Sequence, residues 1–81
     1  MRFRFLQELY GVTQGDTLKD LQESQIGDSL GLTPEETTGI VRDLDRDGLL
    51  EPAGMGSNIV ITREGARELE AALRNPYERT S

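Results

Sequence analysis

An α+β fold that is mostly helical is predicted by three features of this sequence. A helix-start pattern, Thr-Pro-Glu-Glu, opens a long amphipathic segment at Thr33. An apolar and β-branched run, Asn58–Thr62, follows a turn-rich stretch and is typical of a strand. Further apolar residues recur at helical spacing before and after these two segments. The predicted order is three helices, a β-hairpin and a last helix, all within one domain of residues 1–74.

The first helix is predicted to begin almost at Met1 and to end near Gly11. It carries an unusually broad set of large apolar residues: Phe3, Phe5, Leu6, Leu9 and Tyr10. In a domain this small, all five can belong to the core. The alternative is that some of them pack against a partner chain, because one buried helix face does not require five.

A loop and a second helix are predicted next. Leu18 and Leu21 suit a short extended piece that leads into the helix. Ser24 is the predicted N-cap, because its hydroxyl can accept from a free backbone amide of the first turn. The helix then runs to about Leu30, and Gly31 ends it.

The third helix carries the strongest local signal. Thr33 suits the N-cap, Pro34 suits the first helical position, and Glu36 can accept from the Thr33 amide in a capping box. The helix should run to about Asp47, where Gly48 can adopt the left-handed conformation that ends it. Four residues are predicted to form its buried face: Thr37, Ile40, Val41 and Leu44. The short link from the second helix makes a helix-turn-helix.

A β-hairpin and a last helix complete the predicted domain. Leu49 and Leu50 begin the first strand, and Asn58–Thr62 forms the second after a loop of about six residues. Thr62 also suits the N-cap of the last helix. Three residues of that helix are expected to face inward: Ala66, Leu69 and Leu73. Asn75-Pro76 is predicted to end it, which leaves residues 75–81 as a tail or linker.

The composition excludes several functional classes. The chain of 81 residues contains no Cys and no His, which excludes disulfides, thiolate nucleophiles, Cys–His zinc sites and histidine acid–base catalysis. It has no apolar run of the roughly 18 residues that span a membrane, and no signal-peptide pattern. We therefore expect a cytoplasmic protein without membrane contact. So small a core leaves little room for a pocket, so we expect no enzyme, no cofactor and no small-molecule substrate.

Acidic residues are concentrated in the middle of the chain. The net charge is −6, and residues 13–51 alone carry ten acids against three bases. Three aspartates and a glycine in residues 43–48 match the opening of a calcium loop. The bidentate Glu that such a loop needs at its twelfth position is replaced by Gly54, and a strand rather than a helix follows. We therefore expect a solvated acidic helix end and no metal site.

Residues 22–74 resemble the winged-helix family in the broad MarR-like sense. The resemblance rests on LGLTPEE, IVRDLDRDGLLE and ITREG, with PAGMGSN as the tip of the wing. It implies a three-helix core with a helix-turn-helix, a two- to three-stranded β-wing and a C-terminal helix. It also implies a regulatory module, similar to transcription regulators, that binds duplex DNA weakly as a monomer.

The resemblance places the third helix in the major groove of DNA and the wing against the backbone. Five residues are then expected to contact DNA: Arg42, Arg46 and Thr38 from the helix, and Gly56 and Ser57 from the wing. Arginine side chains can bind guanine edges or phosphates, while a hydroxyl or a backbone amide can add a polar contact.

The charges leave an alternative open. Arg42 and Arg46 can instead pair with Asp45 and Asp43 on their own helix. Acidic residues occupy the start of the third helix, and the wing sequence AGMGSN contains no Lys or Arg. The alternative function is therefore a protein–protein interaction module of a larger assembly, with another protein or a second copy as the partner.

Overall fold

The computed structural model of this chain describes residues 2–54 and 56–74. Across these residues the chain forms four helices and a three-stranded antiparallel sheet, which confirms the predicted α+β, mostly helical class. The elements in chain order are α1 (Arg2–Thr13), β1 (Leu21–Gln22), α2 (Glu23–Ser29), α3 (Pro34–Arg46), β2 (Leu50–Pro52), β3 (Asn58–Ile61) and α4 (Arg63–Arg74). No helix in this part of the chain combines the length and the apolar composition that crossing a membrane requires.

Local chemistry explains both ends of α3. The Glu36 amide donates to Thr33 Oγ1 at 3.2 Å, and the Thr33 amide donates to Glu36 Oε1 at 2.9 Å, so the predicted capping box forms. At the other end Gly48 has a φ of +76°, and the Leu49 amide donates to the Leu44 carbonyl at 2.9 Å. This left-handed ending keeps the acidic stretch before Gly48 helical and holds Leu44 in the core.

Two predicted helix ends are wrong. α1 continues past Gly11 to Thr13, because the buried Thr13 hydroxyl donates to the Leu9 carbonyl at 2.8 Å and holds the last turn. The N-cap of α2 is Gln22 rather than Ser24, since the chain arrives in extended geometry from β1. Ser24 therefore lies inside the first turn of α2.

The sheet has the strand order β1-β3-β2, and both pairings are antiparallel. Because β3 is central, its apolar residues Ile59, Val60 and Ile61 are all buried. Leu21 of the predicted extended piece lies in the third strand and pairs with Ile59, whereas Leu18 lies in a turn before the strand. Since β1 leads directly into α2, this pairing brings the start of α2 next to the hairpin of β2 and β3.

The core lies between the sheet and the helices. It contains Phe5, Leu6, Leu9, Ile26, Leu44, Leu50, Ile59, Ile61 and Leu69. Leu73, which was expected to face inward, is 53% exposed, and Phe3, for which packing in the core and against a partner chain were both open, is 40% exposed. The predicted helix end at Asn75-Pro76 and the predicted tail, residues 75–81, lie outside the described residues.

Thr62 caps α4, as predicted, and also links α4 to α3. Its Oγ1 accepts from the Gly65 amide at 3.0 Å and donates to the Gly48 carbonyl at 2.6 Å. Gly65 lies so close to the Leu49 carbonyl that no side chain fits between them. The end of α3, the root of the hairpin and the start of α4 therefore meet at one point.

Candidate functional site

Three adjoining hollows run along the exposed face of α3 and share lining residues. The first, about 380 Å³, lies between the start of α2, the start of α3 and the hairpin residue Ser57. The second, about 390 Å³, shares Pro34 and Thr38 with the first. The third, about 490 Å³, shares Arg42 with the second and extends to Arg46. We name this continuous surface, from Ser57 to Arg46, the trough.

The end of the trough at the hairpin is acidic. Glu23 and Asp28 line the first hollow together with Thr38 and Ser57, and the described residues contribute no Lys or Arg to it. Neither carboxylate forms an ion pair within residues 2–54 and 56–74. The Glu23 amide donates to the Ser57 carbonyl at 2.9 Å, so α2 and the hairpin are bonded at this end.

The middle of the trough exposes helix backbone. Glu35, Thr38 and Arg42 form one exposed stripe at helical spacing and line the second hollow. Gly39 lies beside them, and a Cβ added there would meet no atom within 4 Å. A glycine inside a helix costs about 1 kcal/mol relative to alanine, and no close packing requires one here. A ligand can therefore approach the backbone of α3 closely at this point.

The two arginines of the trough differ in their partners. Arg46 Nη2 lies 3.4 Å from Asp43 Oδ1, so one of the two expected ion pairs forms, on exposed side chains. The other expected pair is absent, since Arg42 forms no ion pair with Asp45 or with any other described residue. The Arg42 guanidinium is therefore available to a ligand.

Four of the five residues that were expected to contact DNA line the trough. Thr38, Arg42 and Arg46 line it from α3, and Ser57 lines it from the hairpin. Gly56 lines a smaller neighbouring hollow of about 120 Å³, where its φ of +89° suits glycine. The structure thus brings these residues to one face, while their contact with DNA stays a prediction.

Two further arginines, Arg2 and Arg67, do not line the trough. Arg2 hydrogen-bonds to Asp47 at the C-cap of α3, and this bond raises the pKa of Arg2. Asp47 is five residues from Arg42, or about 7.5 Å along the helix axis, and Arg2 also interacts electrostatically with Asp43 of the trough. Arg67 lines a hollow on α4 between two glutamates.

Sequence reasoning missed the role of Glu23 and Asp28 in this site. Glu23 lies at the trough because Leu21 pairs with Ile59. This pairing joins distant parts of the chain, and a strand of two residues has too little pattern to predict it. Asp28 could have been found, because the turn between α2 and α3 brings the end of one helix next to the start of the other.

In the described part of the chain, no three Asp, Glu, His or Cys side chains are grouped so that they could hold a metal ion. Asp43 and Asp45 lie within α3, and their side chains therefore point in different directions around the helix.

No protein-family model, no curated protein and no solved structure matches this chain, so the geometry and the charge of the trough carry the functional proposal.

Proposed function

We propose that this chain is a non-catalytic winged-helix module that binds another protein through the trough. The order of the elements supports the winged-helix assignment. A helix-turn-helix of α2 and α3 is followed by a β-hairpin and then by a helix, and a short strand before α2 completes the sheet. In this layout α3 and the hairpin form one face, and the trough lies on that face.

The charge of the trough favours a protein over DNA. Five carboxylates and two guanidiniums line it, which gives a formal net charge of −3. The carboxylates are Glu23, Asp28, Glu35, Glu36 and Asp43. Duplex DNA carries one negative charge per roughly 1.7 Å of its axis, and binding it depends on neutralising phosphates. A net negative surface repels such a polyanion, whereas a protein surface can supply complementary charge.

Duplex DNA is the second candidate partner, and the position of Arg42 favours it. Arg42 is exposed, lies next to Thr38 and forms no ion pair among the described residues. A guanidinium on the outer face of a helix can bind a guanine edge or a phosphate in the major groove. With so few cations, one copy would bind weakly, and dimerisation on a two-fold site would strengthen the binding.

Fluorescence anisotropy with a labelled pool of random duplexes tests the proposal. If the function of the trough is to bind a protein, we expect no measurable duplex binding at ~50 mM salt, where phosphate contacts are strongest. A DNA-binding module would instead bind at that salt and weaken as salt rises.

Two variants make this test specific to the trough. Arg42→Ala removes its free cation, and Arg67→Ala removes the same charge from α4. Duplex binding that weakens with salt and is lost in Arg42→Ala, but kept in Arg67→Ala, would overturn the protein-binding proposal.

A further inference from the structure

Resting on the proposed function, we infer that the trough binds an extended segment of a partner protein in which a Lys or Arg and an Asp or Glu lie about three residues apart. The second hollow has a carboxylate at one end and a guanidinium at the other, Glu35 and Arg42. A segment with both charges complements both ends, whereas a uniformly charged polymer complements only one.

The spacing follows from the geometry of α3. Glu35 and Arg42 are seven residues apart, which is about 10 Å along the helix axis. An extended chain in the polyproline II conformation has three residues per turn and rises about 3.1 Å per residue, so side chains three residues apart lie on the same face, about 9 Å from each other. A basic and an acidic side chain at that separation can reach Glu35 and Arg42 together.

The surface between the two charges suits a peptide backbone. Gly39 leaves the helix backbone open, with no atom within 4 Å of where a Cβ would stand. Thr38 is exposed beside it and can both donate and accept a hydrogen bond. An extended segment carries unpaired amides and carbonyls, which the Thr38 hydroxyl can meet.

The first hollow extends the acidic end. Glu23 and Asp28 lie there, and the hollow joins the second through Pro34 and Thr38. Leu32 also lines it, so the aliphatic stem of a Lys or Arg can pack on apolar surface while its charge meets a carboxylate. This end therefore favours a long basic side chain over a small one.

A second copy of this chain is a poor occupant. Its exposed loop before β1 contains Asp16 and Lys19 at the inferred spacing. That loop is held in a turn, because Asp16 Oδ1 accepts from the Leu18 amide at 2.9 Å and the Lys19 amide donates to the Asp16 carbonyl at 3.4 Å. A turn does not present the two charges as an extended segment does.

The test is a titration of the ¹⁵N-labelled full chain with two synthetic ten-residue peptides, followed by NMR. Both peptides have the same composition in a Ser/Ala background. In one, Lys and Glu lie three residues apart, and in the other they are adjacent. We expect the spaced peptide to bind at least fivefold more tightly and to shift the amides of Glu35, Thr38, Gly39 and Arg42.

Matched variants distinguish peptide binding at a specific site from binding by the overall charge of the protein. Glu35→Gln and Arg42→Gln are each expected to weaken the spaced peptide at least fivefold. Glu68→Gln and Arg67→Gln, which make the same charge changes on α4, should change binding less than twofold. Thermal melts of all four variants identify any loss of binding that comes from unfolding.

Several outcomes would overturn the inference. These are equal binding of the two peptides, equal effects of the α4 variants, shifts confined to other surfaces, or a dimer in sedimentation that occupies the trough. None of them restores DNA as the partner. The proposed function itself fails only if the random duplex pool binds through Arg42, so the two failures are distinguishable.

Discussion

At the scale of single residues, two glycines in neighbouring helices have opposite surroundings. Gly27 of α2 faces the buried Thr37 of α3, and a Cβ built on Gly27 would overlap the Thr37 hydroxyl. Gly39 of α3 faces open space. The same Gly-to-Ala change is therefore expected to have opposite effects on stability at the two positions.

Gly27→Ala is expected to lower the free energy of unfolding by about 1–3 kcal/mol. The Thr37 side chain is short, and its hydroxyl donates to the Thr33 carbonyl at 3.0 Å, so it cannot move aside without losing that bond. Urea unfolding followed by circular dichroism measures the change. Gly11→Ala, in an open position on α1, is the control. A Gly27→Ala protein as stable as the wild type would contradict the close packing of α2 on α3.

Gly39→Ala is expected to raise the free energy of unfolding by about 0.5–1 kcal/mol, because alanine is the better helix former. For a domain of this size, each kcal/mol corresponds to roughly 4–8 °C in the melting midpoint. The new methyl group would also stand in the middle of the trough. A variant that is stabilised but binds the spaced peptide as before would show that the peptide does not approach the backbone of α3.

At the scale of elements, a hydrogen bond joins α1 to α4 beside the core. Tyr10 Oη donates to Glu70 Oε2 at 2.6 Å, and this bond raises the pKa of Tyr10 above its ordinary value near 10. The bond requires neutral Tyr10. Its contribution to stability is therefore fully present below about pH 10 and is lost as the pH rises through the raised pKa.

The free energy of unfolding of the wild type is expected to fall more steeply above about pH 10 than that of Tyr10→Phe, which has no proton to lose. Urea unfolding between about pH 8 and about pH 11 at constant salt measures both curves. Tyr77 is present in both proteins, so its titration cancels in the comparison. Parallel curves would mean that the Tyr10–Glu70 bond does not contribute to stability in solution.

The elements predicted best are those whose ends depend on residues that are close in the sequence. Thr33 and Glu36 are three positions apart and fix the start of α3, and Gly48 fixes its end. The end of α1 was wrong because it depends on the burial of Thr13 and on its hydroxyl bond to the Leu9 carbonyl, which the apolar spacing does not show. The cap of α2 was wrong because it depends on the pairing of β1 with β3.

The residues of the candidate site also fall into those that the local sequence predicts and those that it does not. Thr38 and Arg42 could be found from the periodicity of one helix, since outward residues follow from the buried ones. Glu23 could not, because its place beside Ser57 requires a strand pairing that local sequence does not encode. The availability of Arg42 also could not be predicted, since two ion pairs were equally compatible with the sequence and one formed.

At the scale of the whole molecule, most charged side chains of the described residues have no ionic partner. The chain has a net charge of −6, and its described residues contain two ion pairs, Arg2–Asp47 and Arg46–Asp43. The four side chains are between 45% and 71% exposed, and such pairs contribute about 0–1 kcal/mol each. Repulsion among the remaining carboxylates therefore opposes the compact state.

Adding NaCl is expected to raise the melting midpoint. Between about 0.01 M and about 0.5 M salt, the Debye length falls from ~30 Å to below ~10 Å, which screens the repulsion more than it weakens two exposed pairs. A circular dichroism melt at each salt concentration measures the effect. The double variant Glu23→Gln/Asp28→Asn has less repulsion to screen and should respond less. A midpoint that falls with salt would mean that attraction dominates.

The hairpin that borders the trough is bonded at its root by Thr62 to Gly48 and near its tip by Ser57 to Glu23. The hairpin therefore cannot move away from α2 without exposing the Glu23 amide to water. Deuterium uptake at the Glu23 amide would report how often the hairpin opens away from α2. A peptide in the trough that holds the hairpin against α2 would slow this uptake without contacting the Glu23 amide itself.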